Sequence, residues 1–365
     1  MEDLGVKLAS VTPSFWQGKH VFLTGHTGFK GSWLALWLSS MGARVTGYAL
    51  APNTQPNLFE ILSIENQIYE SHIADIRDLD KLQQAIKKAQ PDILIHMAAQ
   101  PLVRYSYENP VETYATNVMG TVHVLEAIRH IDTIRAAVVV TTDKCYENKE
   151  WVWGYREDEP MGGYDPYSSS KGCAELVTAA YRRSFFSDLA VPHHVSLASA
   201  RAGNVIGGGD WSKDRLIPDA IKAFDESKPL MIRNPLATRP WQHVLEPLSG
   251  YLILAEALYE NGIKFESSWN FGPRSEDERS VQEVIDLLIE QWGGSASWQK
   301  EPGTQPHEAH LLKLDCSKAY QYLGWTPKWS VEVAIQKIMD WHKSFQNKDD
   351  MQALSLLQIQ QYMNS

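Results

Sequence analysis

Apolar positions along the chain alternate between two periods. Short, nearly continuous apolar runs occur at KHVFLTG (Lys19–Gly25), ARVTGYAL (Ala43–Leu50), PDILIHMAAQ (Pro91–Gln100) and AAVVVTT (Ala136–Thr142), and each breaks into a loop. A further strand-then-loop segment is QIYESHIADIRD (Gln67–Asp78). Between them lie SWLALWLSSM, LDKLQQAIKKA and NPVETYATNVMGTVHVLEAIRHI, whose apolar residues recur three and four apart. The first pattern predicts buried strands and the second helices. Strands alternating with helices predict an α/β fold, a doubly wound parallel sheet covered on both faces.

The alternation weakens after about Asn204, where NVIGGGDW forms a glycine-rich loop. Residues 1–18 read as an N-terminal arm, 19–203 as a dinucleotide-binding domain and 204–345 as a smaller mixed α/β substrate domain. That smaller domain is expected over the carboxyl edge of the sheet, where ligands bind in open α/β folds. Residues 346–365 read as a tail.

Composition narrows the function. The 365 residues carry a formal net charge of −10, which argues against nucleic acid as a partner. Cys145, Cys173 and Cys316 are too sparse for a disulfide framework and fit a reducing compartment. No apolar run approaches the roughly 18 residues of a membrane span, and the N-terminus lacks a signal-peptide pattern. A cytoplasmic protein without membrane contact is the expectation. No metal site is legible: His193 and His194 are adjacent, and HEAH at 307–310 lacks zincin spacing.

TGHTGFKG sets Gly25, Gly28 and Gly31 between the first strand and a helix. Glycines there let backbone approach a pyrophosphate, whose charge the helix N-terminus favours. The loop Gly25, His26, Thr27, Gly28, Phe29, Lys30, Gly31 is thus a dinucleotide site of Rossmann-like type. Lys30 either faces a phosphate or projects into water. The segment YALAPNTQPN offers neither an acid nor an arginine for the ribose, leaving Asn53 or Thr54 as substitutes, and NAD is the cofactor expected.

DPYSSSK places Tyr167 and Lys171 one helical turn apart. A nearby ammonium lowers a phenol's pKa, so Tyr167 can take a proton from a substrate hydroxyl. Thr142, at the end of the fifth strand, supplies the hydroxyl such a pair needs. Asp143 and Lys144 are then extra titratable groups, either solvated charges at a turn or acid–base machinery beyond hydride transfer. His96, inside a buried strand, reads as a core histidine. Trp211 is the tryptophan best placed to stack on a ligand.

The motifs GHTGFKGSWL, HMAAQPLVRYSY, TTDKCYEN, NVIGGGDW and TRPWQHVLEPLSGYL resemble the sugar-nucleotide 4,6-dehydratases, a group of extended short-chain dehydrogenase/reductases. The likeness spans about residues 15–345 and is most specific for the members acting on CDP-glucose. Relatives acting on dTDP-glucose carry Thr-Asp-Glu where this chain has Thr142-Asp143-Lys144.

The resemblance implies a hydride moved by NAD from carbon 4 to carbon 6 of CDP-D-glucose, with loss of water. Tyr167 and Lys171 would oxidise carbon 4, and protonated Asp143 would serve the departing 6-hydroxyl. Three options serve the proton on carbon 5: a neutral Lys144, Tyr167 acting twice, or an electrostatic role for Lys144 in stabilising the enolate. Asp75, Ile76, Ala98, Ala99, Gln100, Asn117 and Thr141 would contact the cofactor. Gln100, Arg104, Asn204, Arg215, Arg239 and Arg274 would contact the substrate.

A homodimer through a four-helix bundle is implied, with a larger homo-oligomer left open, as is a supply of deoxysugars to surface polysaccharide. A 4-epimerase would share everything except the need for an acid at 143. A silent NAD-sensing regulator would not need both Tyr167 and Lys171.

Overall fold

A computed structural model describes residues 9–186, 194–302 and 311–365. The arm contributes α1 (Pro13–Trp16), and the nucleotide-binding layers follow as β1 (His20–Thr24), α2 (Phe29–Ser40), β2 (Arg44–Ala49), α3 (Leu58–Ile61), α4 (Ile64–Gln67), β3 (Glu70–Ile73), α5 (Leu79–Ala89) and β4 (Ile93–His96). Next come α6 (Val103–Glu108), α7 (Pro110–Tyr114), a π-helical turn (Ala115–Met119), α8 (Gly120–Ile128), β5 (Ala136–Val140), α9 (Pro166–Tyr181) and β6 (Ser196–Ala202). The last part comprises β7 (Asn204–Ile206), α10 (Leu216–Asp225), β8 (Leu230–Ile232), β9 (Thr238–His243), α11 (Leu245–Asn261), β10 (Ser268–Phe271), β11 (Glu278–Ser280), α12 (Val281–Trp292), β12 (Trp298–Lys300), α13 (Val331–Asn347) and α14 (Met351–Asn364).

Seven parallel strands form one sheet in the order β10-β6-β5-β4-β1-β2-β3, a Rossmann-like doubly wound arrangement. Strands β1, β4 and β5 are buried on both faces, which is why they read as unbroken apolar runs. Local chemistry starts the helices: Asp78 caps α5 by accepting from the Lys81 N–H. Asp165 caps α9 by accepting from the Ser168 N–H, with Pro166 at the first helical position. One apolar layer carries Trp33, Trp37, Leu248 and Leu252 from α2 and α11. The opposite layer carries Leu82, Ile86, Val124 and Ile128 from α5 and α8.

A second core joins Ile217, Phe224, Trp241, Val284, Leu288, Ile335 and Ile338 in a smaller unit built on β7, α10, β8, β9, α12 and α13. The expected boundary at 204 is crossed, because the chain returns to the large sheet with α11 and β10 before leaving it again. β10 pairs with β6, matching Trp269 to Ala200. The two ends also depart from expectation. Trp16 is fully buried in the supposed arm, and its indole donates to Glu256 at 2.7 Å. The supposed tail folds as α14, with Tyr362 buried against Trp37 and Trp329.

Glu246, fully buried on α11, clasps that tail. It accepts from the Tyr362 hydroxyl (2.6 Å) and from the Trp329 and Lys328 N–H groups. Burial pushes its carboxyl up to about 7, above its unfolded value. A carboxyl raised on folding binds its proton more tightly when folded, so its stabilising contribution is present below the unfolded pKa. That contribution is lost as pH rises through about 7. Thermal melts of Glu246→Gln are therefore expected to decline less between pH 5 and pH 8 than those of the parent chain.

Candidate active site

The glycine loop closes over the start of α2. Gly25 has φ 81°, and a Cβ there would meet the Ala98 N–H at 2.8 Å. A Cβ on Gly31 would sit 2.0 Å from the Gly25 carbonyl, so the turn cannot close around a larger residue. Gly28, exposed, begins α2 with no side chain capping its free N–H groups. An uncapped helix start behind glycines suits a pyrophosphate, so the loop fits a dinucleotide.

The loop's side chains turn inward. The His26 ring is buried over Gly47 and bonds the Ser71 hydroxyl at 2.8 Å, so it faces away from the uncapped helix end. Thr27 donates to the Leu50 carbonyl at 2.8 Å, and Phe29 packs toward Gly207. Lys30 does not project into water. Its ammonium donates to the Tyr251 hydroxyl at 3.0 Å, and burial among Lys171 and Arg215 draws it down to about 7.

The catalytic corner forms where β5 ends. The strand stops at Val140, and Thr142 caps a short 3-10 turn, Asp143–Cys145, rather than closing the strand. Thr142 donates to Asp143 Oδ1 at 3.0 Å and also bonds Tyr167. Asp143 is buried, its Oδ2 has no hydrogen-bond partner, and burial raises its pKa. Oδ2 lies about one contact from where a Cβ on Gly203 would stand, at 3.1 Å. Lys144 is half-buried, and its charge opposes part of the rise at Asp143.

Tyr167 and Lys171 lie on the buried face of α9, as the spacing predicts. Burial holds the Tyr167 phenol up to about 12, with Thr142 and Arg215 pulling against that rise. The Lys171 ammonium donates to the Val140 carbonyl at 3.2 Å, and burial lowers it to about 8. A protein interior disfavours charge on either group, so both drift toward neutrality.

Several residues expected on the cofactor have side chains committed elsewhere. Both Asp75 oxygens are held by Arg77, at 2.6 to 3.0 Å, which keeps the carboxylate below its usual range. The Ile76 side chain packs on Gly120, and its carbonyl meets His123. Gln100 spends its amide on Leu102 and Thr113. Asn117, in the π turn, accepts from the Gln100 N–H and donates to the Gln100 carbonyl and to Ser170, tying that loop to α9. The Thr141 hydroxyl points at Glu175. For Ala98, Ala99 and Gln100 the accessible chemistry is backbone, and the Ala98 N–H itself donates to Thr24.

The substrate cations divide. Arg239 is buried on β9, two residues before Trp241, which registers with Asn204 on β7. Arg215 opens α10, pairs with Asp210 at 3.0 Å, and is close enough to act on Tyr167 and Lys30. Arg104 lies on α6 and pairs with Asp214 at 3.0 Å, bridging the two units. Arg274 is exposed, donating to the Pro327 carbonyl beside Glu276, a surface pairing. Trp211 packs edge-on against Trp341 and at a tilt against Phe345. His96 behaves as a core histidine between Thr24 and Thr121. Residue 193 and residues 307–310 lie outside the described residues. Among those described, no cluster of three His, Cys, Asp or Glu is arranged for a metal.

Residues 22–338 match the family model described as GDP-mannose 4,6 dehydratase. The chain is 58% identical over 97% of its length to the CDP-glucose 4,6-dehydratase of Salmonella typhimurium, covering 99% of that protein. The chain belongs to this dehydratase family. Its fold matches the dTDP-glucose 4,6-dehydratase of Streptomyces venezuelae, with a TM-score of 0.76, 21% identity, and coverage of 90% and 98% of the two chains. It likewise matches the UDP-glucuronic acid 4-epimerase of Bacillus cereus, with a TM-score of 0.76, 24% identity and coverage of 89% and 99%.

Within this family member, sequence reasoning overlooked three buried groups at the site. Tyr251 receives the Lys30 ammonium, from a helix more than two hundred residues away in the chain. Glu175, one turn past Lys171, is ion-paired with Arg201 at 2.8 Å. A signal for the pair existed, since Arg201 interrupts the otherwise small and apolar strand SLASARA and a buried arginine requires a partner.

Proposed function

We propose that this chain is a CDP-D-glucose 4,6-dehydratase, a hydro-lyase forming CDP-4-dehydro-6-deoxy-D-glucose and water with bound NAD. The observation that carries the reading is Asp143: a buried carboxyl with one unpartnered oxygen, sharing Thr142 with Tyr167. A 4-epimerase or a simple dehydrogenase has no step that uses this second proton donor. The Salmonella typhimurium relative supports CDP-glucose as the substrate.

The backbone of Gly25, Gly28 and Gly31 would hold NAD, which would take the hydride from carbon 4 and return it to carbon 6. Tyr167, as the phenolate that Thr142 and Arg215 favour against burial, would accept the 4-hydroxyl proton, with Lys171 as the adjacent cation. The 4-ketone acidifies the hydrogen on carbon 5, whose proton Tyr167 takes in a second role after passing on the first, while an ammonium at Lys144 offsets the negative charge that develops; the proton returns to carbon 5 as the hydride enters carbon 6. Asp143, whose burial favours the protonated form, would pass its proton to the leaving 6-hydroxyl. Asn204, Arg215 and Arg239 clamp the diphosphate, for which arginine's fork is suited.

Among the described residues no helix is long and apolar enough to cross a membrane. Together with three unpaired cysteines, this supports a cytoplasmic enzyme. A homodimer is supported by exposed apolar side chains on neighbouring helices: Val111 and Tyr114 on α7, Met119 in the π turn and Leu176 on α9. Leu176→Arg is expected to convert the dimer to monomer in sedimentation velocity at micromolar concentration.

The reading is tested by supplying CDP-, dTDP-, UDP- and GDP-glucose with NAD and following loss of water by mass. Dehydration of CDP-glucose at least tenfold faster than of the others is expected. An epimer of unchanged mass would favour the epimerase instead.

A further inference from the structure

Behind the catalytic corner lies a polar network that takes no part in the chemistry described. The Glu175 carboxylate is buried and receives four donors from three strand ends. Arg201 (2.8 Å) and Ser199 (2.7 Å) reach it from β6, Ser268 (3.2 Å) from β10, and Thr141 just past β5. Arg201 continues to the Tyr146 hydroxyl at 2.8 Å, which donates to Asn270. Glu175 is thus fixed to the same segment whose carbonyl, at Val140, holds the Lys171 ammonium.

The groups facing Lys171 give Glu175 its weight. Lys30, from the start of α2, repels it. His96, at the end of β4, is driven down to about 3 and is neutral. The Cys145 thiol, from the turn after β5, is pushed up by burial and stays protonated. Tyr167, on its own helix, is held up to about 12 and is also neutral. Asp143 acts on Lys30 and is itself raised by burial. Among these groups Glu175 is the anion that is held down, because Arg201 and the hydroxyls outweigh its burial.

We infer that Glu175 is a positioning residue: locked by Arg201, Ser199 and Thr141, it keeps Lys171 a cation against the end of β5. Any consequence for catalysis rests on the dehydratase reading above, whereas the charge state of Lys171 does not. Removing Glu175 leaves Lys171 and Arg201 buried without a counter-charge, so Lys171 loses its proton at lower pH.

The test is a pH titration of the Lys171 side chain by NMR in the full-length protein with ¹⁵N-labelled lysine, its signal assigned by loss in Lys171→Arg. Glu175→Gln is expected to lower the Lys171 titration, about 8 in the parent chain, by about one unit or more. The alkaline limb of the kcat profile should move with it, and Glu175→Asp should restore both. If Glu175→Gln does not fold, the double variant Glu175→Gln/Arg201→Met removes the buried pair together, a change that domains tolerate better. It should still lower the titration. An unmoved Lys171 titration in a folded variant overturns the inference. A lowered titration in a chain that does not dehydrate CDP-glucose upholds it and speaks against the activity alone.

Discussion

Tyr167→Phe is expected to reduce turnover of CDP-glucose by about a thousandfold, within the range for a lost general acid–base group. The substitution keeps the ring in its buried seat on α9 and deletes the hydroxyl that bonds Thr142. Substrate affinity should change little, because the groups assigned to the diphosphate lie on β7, β9 and α10. The thermal midpoint should hold or rise, since a buried polar group is exchanged for an apolar one of the same shape. Steady-state kinetics with an isothermal binding measurement checks both. A variant within tenfold of the parent would remove Tyr167 from the reaction.

Asp143→Asn carries the second large effect, and it separates dehydration from the preceding oxidation. The amide fills the same buried space and can still accept from Thr142, but it has no acidic proton for a leaving hydroxyl. Dehydration should fall by about a hundredfold or more. Oxidation at carbon 4 should persist, so a 4-keto sugar that retains its 6-hydroxyl accumulates. Quenching with borodeuteride and weighing the sugar detects it as a deuterated hexose that has lost no water. The opposite pattern, with both steps lost together, would mean that Asp143 shapes the corner rather than donating a proton.

The large sheet was legible because parallel strands buried on both faces leave unbroken apolar runs, and the helices between them keep a helical period. Tyr167 and Lys171 were legible for a similar reason, since four residues along a helix fix a shared face. Long-range closure was not legible. β10 is four residues long, and nothing local indicates that Trp269 registers with Ala200. The helix α14 looked like a tail because the partners of Tyr362, namely Glu246 and Ser249, lie more than a hundred residues earlier.

Side-chain direction was the other gap. His26 and Lys30 belong to the glycine loop by position, yet Gly47 opens space that draws the His26 ring inward, and Lys30 reaches the Tyr251 hydroxyl. Asp75 and Arg274 were named on the resemblance, and in the structure Arg77 and the Glu276 neighbourhood engage them. Residue type told which chemistry was available, while packing decided where each group points.

Water loss and a transfer of hydrogen within one sugar are a single claim, which CDP-glucose deuterated at carbon 4 tests most directly. The expected product is lighter by one water and carries the deuterium at carbon 6. Product without the label at carbon 6, or recovered sugar with only its carbon 4 configuration changed, would contradict it.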